Sequence, residues 1–204
     1  MSTDVAVLDD PEVAAAALDP TRARLLAALA AEPASAAGVA VRLGLPRQRV
    51  GHHLRALEDK GLVVEVGRRR HGGLTERVLT ASARAYVVSP AALGPAAADP
   101  DVVADRLSAG YLLAVAGRAV REVGGLLRGA GAAGKRLPTL TVEADVRFAS
   151  AADRAAFAAD LAACVRDLAA RYHDGSAPRG RWYRLVALSH PRPAVAAEEE
   201  VRPS

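Results

Sequence analysis

The chain has 204 residues, 51% of them hydrophobic and only 3% aromatic, enough for one large domain or two small ones. Because alanine buries little apolar surface, the core must be built from closely packed helices or be completed by a second subunit. The single cysteine excludes an internal disulfide. The acidic N-terminal segment and the lack of long apolar runs predict neither a signal peptide nor a membrane span, which favours a cytoplasmic protein.

Positive charge is concentrated in one part of the chain. Residues 20–84 carry 12 Arg or Lys against 5 Asp or Glu, a net charge of +7 in a chain whose total is +4. This distribution is typical of a nucleic-acid-binding region joined to a second region.

Three helices are predicted before residue 62. Asp19 is placed to cap a helix with Pro20 in its first turn, and Ser35 is placed to cap a second, short helix. Gly44 ends that helix, and Pro46 begins a third of about 15 residues. This succession of helices predicts a helix-turn-helix.

After Gly61 the pattern changes from helix to strand. Residues 62–66 and 76–80 are short and rich in β-branched side chains, and the Gly-rich segment 67–73 between them predicts a hairpin tip. Three helices followed by a hairpin predict an α+β fold with an N-terminal winged helix-turn-helix.

Proline and glycine mark a linker at residues 91–100, and a long helix is predicted from residue 101 to about residue 128. Glycines inside this helix weaken it and indicate that something packs closely on one of its faces. Close helix packing, for example across a dimer, and a ligand groove are both open. The glycines are Gly110, Gly117 and Gly124.

A strand–helix–strand unit is predicted near the C-terminus. Residues 140–148 alternate apolar and polar side chains, Ser150 and Asp153 form a capping box, and residues 182–188 read as a final strand. The intervening helix has an apolar stripe, on which Cys164 is expected to be buried. Such a unit needs more strands to make a stable sheet. It could pair with its copy in a second subunit, or it could pack on the long helix.

These signals predict four regions. They are a winged helix-turn-helix (1–90), a linker (91–100), a long helix with the strand–helix–strand unit as dimerisation or effector region (101–190), and a disordered tail (191–204).

The third predicted helix, residues 46–60, has the chemistry to read DNA. Val50, Leu54 and Leu57 share a face that should pack on the other helices, and the opposite face is polar. Arg pairs with guanine and Gln with adenine in the major groove, which the N-terminal end of such a helix enters. A plain solvated surface is the alternative. The candidate residues are Arg47, Gln48, Arg49, Gly51, His52 and Arg55, whereas His53 lies at the packed edge.

The hairpin strengthens the DNA-binding interpretation. Arg68, Arg69, Arg70 and His71 are consecutive, and their mutual repulsion gives nothing to folding. A phosphate backbone would give them a role, so they are predicted to contact it.

Residues 45–63 (LPRQRVGHHLRALEDKGLV) and 18–26 (LDPTRARLL) resemble the ArsR-type winged-helix regulators, over roughly residues 10–90. The resemblance implies a homodimer that binds double-stranded operator DNA near palindromic sites, usually represses, and releases DNA when an effector binds. Gly51 stands where that family usually has Ser, which removes one expected phosphate-binding hydroxyl. The Cys-x-Cys pair and the Asp/His clusters of metal-sensing members are absent, so neither a metal nor a cofactor is predicted.

A sequence-specific regulator is therefore the leading functional hypothesis. The alternatives are a winged-helix interaction module for protein or nucleic acid without ligand control, and an enzyme with a winged-helix appendage. No phosphate-binding loop, carboxylate pair or Ser/His/Asp set is visible, so no catalytic residue is predicted. Aromatic side chains can line a small-molecule pocket or simply form core. The candidates for an effector pocket are Tyr111, Tyr172, Trp182 and Tyr183.

Overall fold

The computed structural model describes residues 3–71 and 74–192, with only the backbone described at His71 and Leu74. Contacts divide the chain into a first unit, Met1–Pro138, and a second unit, Thr139–Ser204. The boundary therefore follows the long helix, whereas the sequence grouping placed that helix with the C-terminal region. From residue 193 onward, the predicted disordered tail lies outside the described residues.

The first unit is an α+β winged helix, as predicted. Its elements are β1 (Thr3–Leu8), α1 (Pro11–Leu18), α2 (Pro20–Ala31), α3 (Ala36–Leu43), α4 (Arg47–Asp59), β2 (Val63–His71), β3 (Leu74–Ala81), β4 (Ala83–Val88), two 3-10 segments (Pro90–Ala96 and Pro100–Val102) and α5 (Ala109–Ala132).

The predicted helix boundaries follow from local capping. A carboxylate oxygen of Asp19 accepts a hydrogen bond from the Arg22 N–H at 2.9 Å, and the Ser35 hydroxyl accepts one from the Gly38 N–H at 3.2 Å. Both bonds satisfy amide groups that a helix leaves open at its N-terminus. Gly44 ends α3 in the left-handed conformation, with φ of 64°.

The core lies where the helices of the winged helix meet the hairpin. The largest fully buried hydrophobic side chains come from α2, α3 and α4, namely Leu25, Leu29, Val39, Val50, Leu54 and Leu57. Leu62, Val63 and Leu79 extend the same cluster into the hairpin. This packing fixes α4 against the rest of the unit and determines which of its faces meets solvent.

The hairpin strands are longer than the sequence indicated. β2 and β3 pair antiparallel as far as His71 opposite Leu74, so Arg68, Arg69 and Arg70 lie in a paired strand and not in a loose tip. The register shifts between Glu65 and Gly67. Gly72 and Gly73 lie outside the described residues.

Two strands were not anticipated from the sequence. β1 pairs parallel with β4, with Thr3 opposite Ala83 and Leu8 opposite Val88. The Tyr86 hydroxyl in β4 donates to the Leu62 carbonyl at 3.0 Å and accepts from the Ala83 N–H. This side chain ties β4 to the base of the hairpin.

The long helix begins later than expected. Residues 101–108 are not α-helical, and α5 starts at Ala109, where the Ser108 hydroxyl accepts from the Tyr111 N–H at 3.1 Å. The predicted linker contributes the 3-10 segments that pack against α5.

Two of the helix glycines are in close contact with other parts of the same chain. A Cβ at Gly124 would lie 2.8 Å from a methyl carbon of Val7 in β1, and one at Gly117 would lie 3.1 Å from Pro90. The close contact predicted for this face of α5 is therefore made by strand β1 and Pro90, and not by a second helix. Gly110 has only Ser108 nearby.

We expect Gly124→Ala to destabilise the first unit although alanine favours helix. The new methyl group must displace Val7, a stiff β-branched residue in a paired strand, and such overpacking costs about 1–3 kcal/mol. Gly125→Ala is the matched control, because its Cβ would meet only the flexible end of Arg128 at 3.9 Å. The control should raise the free energy of unfolding by up to about 1 kcal/mol. Chemical denaturation of both variants measures the difference, and equal stability of the two would contradict the assigned contact.

The second unit contains one regular element among its described residues, α6 (Ala151–Tyr172). Its predicted cap is present, since the Ser150 hydroxyl accepts from the Asp153 N–H at 3.0 Å. The predicted strands at 140–148 and 182–188 are not formed, because neither segment has a pairing partner within the described chain. Cys164, expected to be buried, is exposed, and no residue of α6 is buried.

Candidate DNA-binding surface

Helix α4 presents one packed face and one open face. Val50, Leu54 and Leu57 are buried, whereas Gln48, His52, Arg55 and Asp59 are exposed. The division matches the helical periodicity of the sequence. Core packing thus leaves the polar face available to a ligand.

The N-terminal end of α4 is open to an anion. Pro46 occupies the N-cap and supplies no side-chain hydrogen bond, so the first amide groups of the helix have no capping partner. Arg47 and Arg49 are exposed in the first turn. Amide groups and a helix dipole of this kind favour phosphate oxygens.

The hairpin is tied to α4 by a charge cluster around Arg77. This β3 side chain donates hydrogen bonds to Glu58 of α4 and to Glu65 of β2. Arg68 also donates to Glu65, at 3.0 Å. The bonds from Arg77 and then from Arg68 lower the pKa of the Glu65 carboxyl, and those from Glu65 and Glu58 raise the pKa of Arg77.

Two of the predicted DNA-contacting arginines face acidic side chains. Arg68 pairs with Glu65, and the Arg47 guanidinium lies 3.6 Å from Glu76 of β3. The remaining four have no ion pair or hydrogen bond within the described part of the chain. These are Arg49 and Arg55 of α4 and Arg69 and Arg70 of β2. Glu76 lies opposite Arg69 in the hairpin register but pairs with Arg47, so the positive charge of these four arginines, here called uncompensated, is not balanced by an ion pair of their own.

Helix α4 and the hairpin also enclose a shared cleft. It has a volume of about 330 Å³ and is lined by Gly51, Arg55 and Glu58 of α4 and by Glu76 and Arg77 of β3, among others. The predicted recognition residues thus lie on the same concave surface as the hairpin. The sequence analysis did not predict four charged residues of this surface, Glu58, Glu65, Glu76 and Arg77. The alternation of acidic and basic residues along the hairpin was the sequence signal that could have indicated them.

The two adjacent histidines differ as predicted. His52 is exposed, and His53 is half-buried. Burial lowers the pKa of the His53 imidazole, against an opposing effect of nearby Asp19. Burial thus favours the neutral form of His53 at the packed edge of α4. At the end of β2, the side chain of His71 lies outside the described part of the structure.

Three of the four candidate effector residues come together. Tyr172, Trp182 and Tyr183 line an open cavity of about 470 Å³ in the second unit, together with apolar side chains and the charged Asp174 and Arg181. The rings of His173 and Trp182 lie 5.4 Å apart. Tyr111 belongs to α5 in the first unit and does not line this cavity.

Residues 3–71 and 74–192 hold no metal-binding cluster. Within these ranges, no group of three or more His, Cys, Asp or Glu side chains is arranged to hold a metal ion. No helix of the described chain combines the length and apolarity needed to cross a bilayer.

Comparison with known proteins supports the central element of the site. A family described as a helix-turn-helix domain matches residues 17–66, about a quarter of the chain, which include α2, α3 and α4. No curated protein matches the chain. The matched region contains every candidate on α4 and ends before the arginines of β2.

We expect Gly51→Ser to bind DNA more tightly than Gly51→Ala. A Cβ at residue 51 would meet no atom within 4 Å, so both substitutions fit the helix, and Gly51→Ala should add about 0.5–1 kcal/mol of stability. Only serine restores a hydroxyl that can donate to phosphate, worth roughly a threefold to tenfold gain in affinity. Thermal unfolding and fluorescence anisotropy measure the two effects. Equal affinity of both variants would show that residue 51 does not approach a phosphate.

Proposed function

We propose that this protein is a sequence-specific transcriptional regulator that binds double-stranded DNA as a homodimer, and that it has no catalytic activity. Helix α4 would read base edges in the major groove, and the hairpin would contact phosphates. The resemblance of residues 10–90 to ArsR-type regulators favours a palindromic operator and repression.

The observation that carries the proposal is the position of the uncompensated arginines. Arg49 and Arg55 on α4 and Arg69 and Arg70 on β2 make no ion pair in the described chain, and Glu76, opposite Arg69 in the hairpin register, pairs with Arg47. Keeping like charges exposed does not help folding, but it suits a polyanionic ligand. Their placement on a helix-turn-helix and its adjoining hairpin makes duplex DNA the best candidate.

The proposal is tested by titrating the protein into the duplex that lies upstream of its own gene, with a scrambled duplex of the same composition as control. Fluorescence anisotropy at two salt concentrations should show tighter binding to the native duplex, and binding that weakens as salt rises. Binding that is equal for both duplexes would favour a general nucleic-acid-binding module instead. If the protein bound neither duplex, the result would contradict both the choice of this duplex as operator and the proposed mode of DNA binding.

We expect Arg69→Ala to weaken binding to native and scrambled duplexes by the same factor. Phosphate contacts carry no sequence information, and removing one of them should reduce the slope of log affinity against log salt by about 0.9. Arg106→Ala is the control, since Arg106 is an exposed arginine outside the winged helix. An unchanged salt slope for Arg69→Ala would remove this arginine from the interface.

Control by a small molecule is the second part of the proposal. The cavity of about 470 Å³ in the second unit is within the size range of ligand sites, and its aromatic and apolar lining favours a ligand with an aromatic ring. Trp182 is the only tryptophan of the chain, so its fluorescence reports directly on a ligand that enters. An effector should change this fluorescence and the DNA affinity over the same concentration range.

A further inference from the structure

The second unit has no core of its own. None of its described residues, 139–192, is buried, and α6 has no buried side chain along its 22 residues. Large apolar side chains are instead exposed, with Val142 and Trp182 each 85% accessible. Burial of apolar surface is the main source of stability in a folded unit, and this unit buries none of its side chains fully. Its exposed apolar side chains therefore require a partner surface.

The segments on either side of α6 have the sequence of strands but no strand partner within the described chain. We call residues 139–148 the acidic segment and residues 179–192 the basic segment. Residues 140–148 make no backbone hydrogen bond within the described chain, and their apolar side chains alternate with polar ones. Two such segments are too few for an independently stable sheet, which needs three strands or more.

The charges of the segments indicate how they can pair. The acidic segment carries Glu143, Asp145 and Arg147, whereas the basic segment carries four arginines and no acidic residue. If two acidic segments paired antiparallel about their centres, Glu143 and Asp145 of one copy would lie opposite the same acidic residues of the other copy. Like charges opposite each other destabilise a sheet. Two basic segments would repel in the same way. Unlike segments attract, as they do within one chain, where the Arg192 guanidinium lies 2.8 Å from Asp145.

We propose that the second unit is completed by the second unit of another copy of this chain, with the acidic segment of each copy beside the basic segment of the other. Two copies supply four strands and two helices, and every unlike pairing is made twice by the two-fold symmetry. The exposed aromatic and aliphatic side chains offer on the order of 1,000 Å² per copy, and a standard interface needs about 800 Å². The inference rests on the proposed function only in taking the protein to be a homodimer.

Sedimentation equilibrium of the full-length protein tests the apolar part of this interface. The unmodified protein should be a dimer, and Val142→Glu should raise its dissociation constant by about 100-fold or more, because a carboxylate would be buried without a partner. Thr141→Glu is the control, since it places the same charge on the face that carries Glu143 and Asp145 and should leave the dimer at least as tight as that of the parent. A monomeric parent protein, or a Val142→Glu dimer as tight as the parent, would overturn the proposal.

Charge reversal shows whether the pairing is between copies. One variant carries Glu143→Arg with Asp145→Arg, and the other carries Arg179→Glu with Arg181→Glu, which share one face of a strand. Each variant alone should dimerise weakly, because like charges meet at both seams. Mixed in equal amounts they should form a heterodimer as tight as the parent dimer, since both seams are then complementary. A mixture that dimerises no better than its components would overturn the proposal, and recovery would exclude misfolding as the cause of the weak dimers.

The dimer test is separable from that of DNA recognition. Val142→Glu should keep the affinity of the parent for a duplex with a single half-site, because α4 and the hairpin lie in the first unit. Weakened dimerisation with retained half-site binding supports the proposed interface. Failure of the parent dimer to bind any DNA would contradict the proposed function and leave the dimer result standing.

Discussion

Replacing Gln48 and Arg55 together with alanine should remove most of the preference for the operator while changing the affinity for unrelated DNA little. Both side chains are exposed on the open face of α4, and neither has a side-chain partner within the described chain. A bidentate contact from Gln to adenine or from Arg to guanine contributes about 1–3 kcal/mol of discrimination. Removing either side chain should therefore lower specific affinity roughly tenfold to a hundredfold in every half-site.

Anisotropy titrations with operator and scrambled duplexes give the ratio of specific to non-specific affinity. This ratio should fall steeply in the double variant. Asp59→Ala is the matched control, because Asp59 is exposed at the opposite end of the same helix and lies away from the end that enters the groove. If both affinities of the double variant fell by the same factor, the two residues would be phosphate contacts and not readers of bases.

Features of the first unit that depend on neighbouring residues could be predicted from the sequence. Asp19 and Ser35 cap helices through bonds that span three residues, and the spacing of Val50, Leu54 and Leu57 places them on one helix face. Such interactions are fixed by helix geometry alone. The division of α4 into a buried and an open face was therefore accessible before any tertiary contact was known.

Features that join distant residues could not be predicted in this way. β1 and β4 pair although about 80 residues separate them, and Arg77 joins Glu65 to Glu58 across two elements. Charge pattern showed that the hairpin is basic, but not that Arg68 and Arg47 form ion pairs with glutamates while Arg69 and Arg70 do not. The uncompensated subset, on which the proposed function rests, depends on tertiary structure.

The strands at 140–148 and 182–188 show a different limit. Their alternation of apolar and polar side chains is a property of the sequence, but a strand forms only when its amide and carbonyl groups find partners. Within one described chain none is present, so the segments carry no regular structure. The sequence showed that these strands need a partner, but not that the described chain contains no backbone partner for them.

Leu54→Ala should lower the free energy of unfolding of the first unit by about 2–5 kcal/mol, a large fraction of the stability of an ordinary domain. Leu54 is 2% exposed and packs in the core that holds α4, whereas its neighbour Arg55 faces outward. Any loss of binding that follows from a smaller folded fraction should therefore be the same for operator and scrambled duplexes. The ratio of the two affinities should stay that of the parent, in contrast to the double variant on the open face.

Leu107→Ala is the control, since Leu107 is 98% exposed and should change stability by less than about 0.5 kcal/mol. Chemical denaturation and anisotropy on the same samples separate the two effects. A Leu54→Ala protein as stable as the control would mean that this face of α4 is not packed, and a changed affinity ratio would mean that the packed face also selects bases.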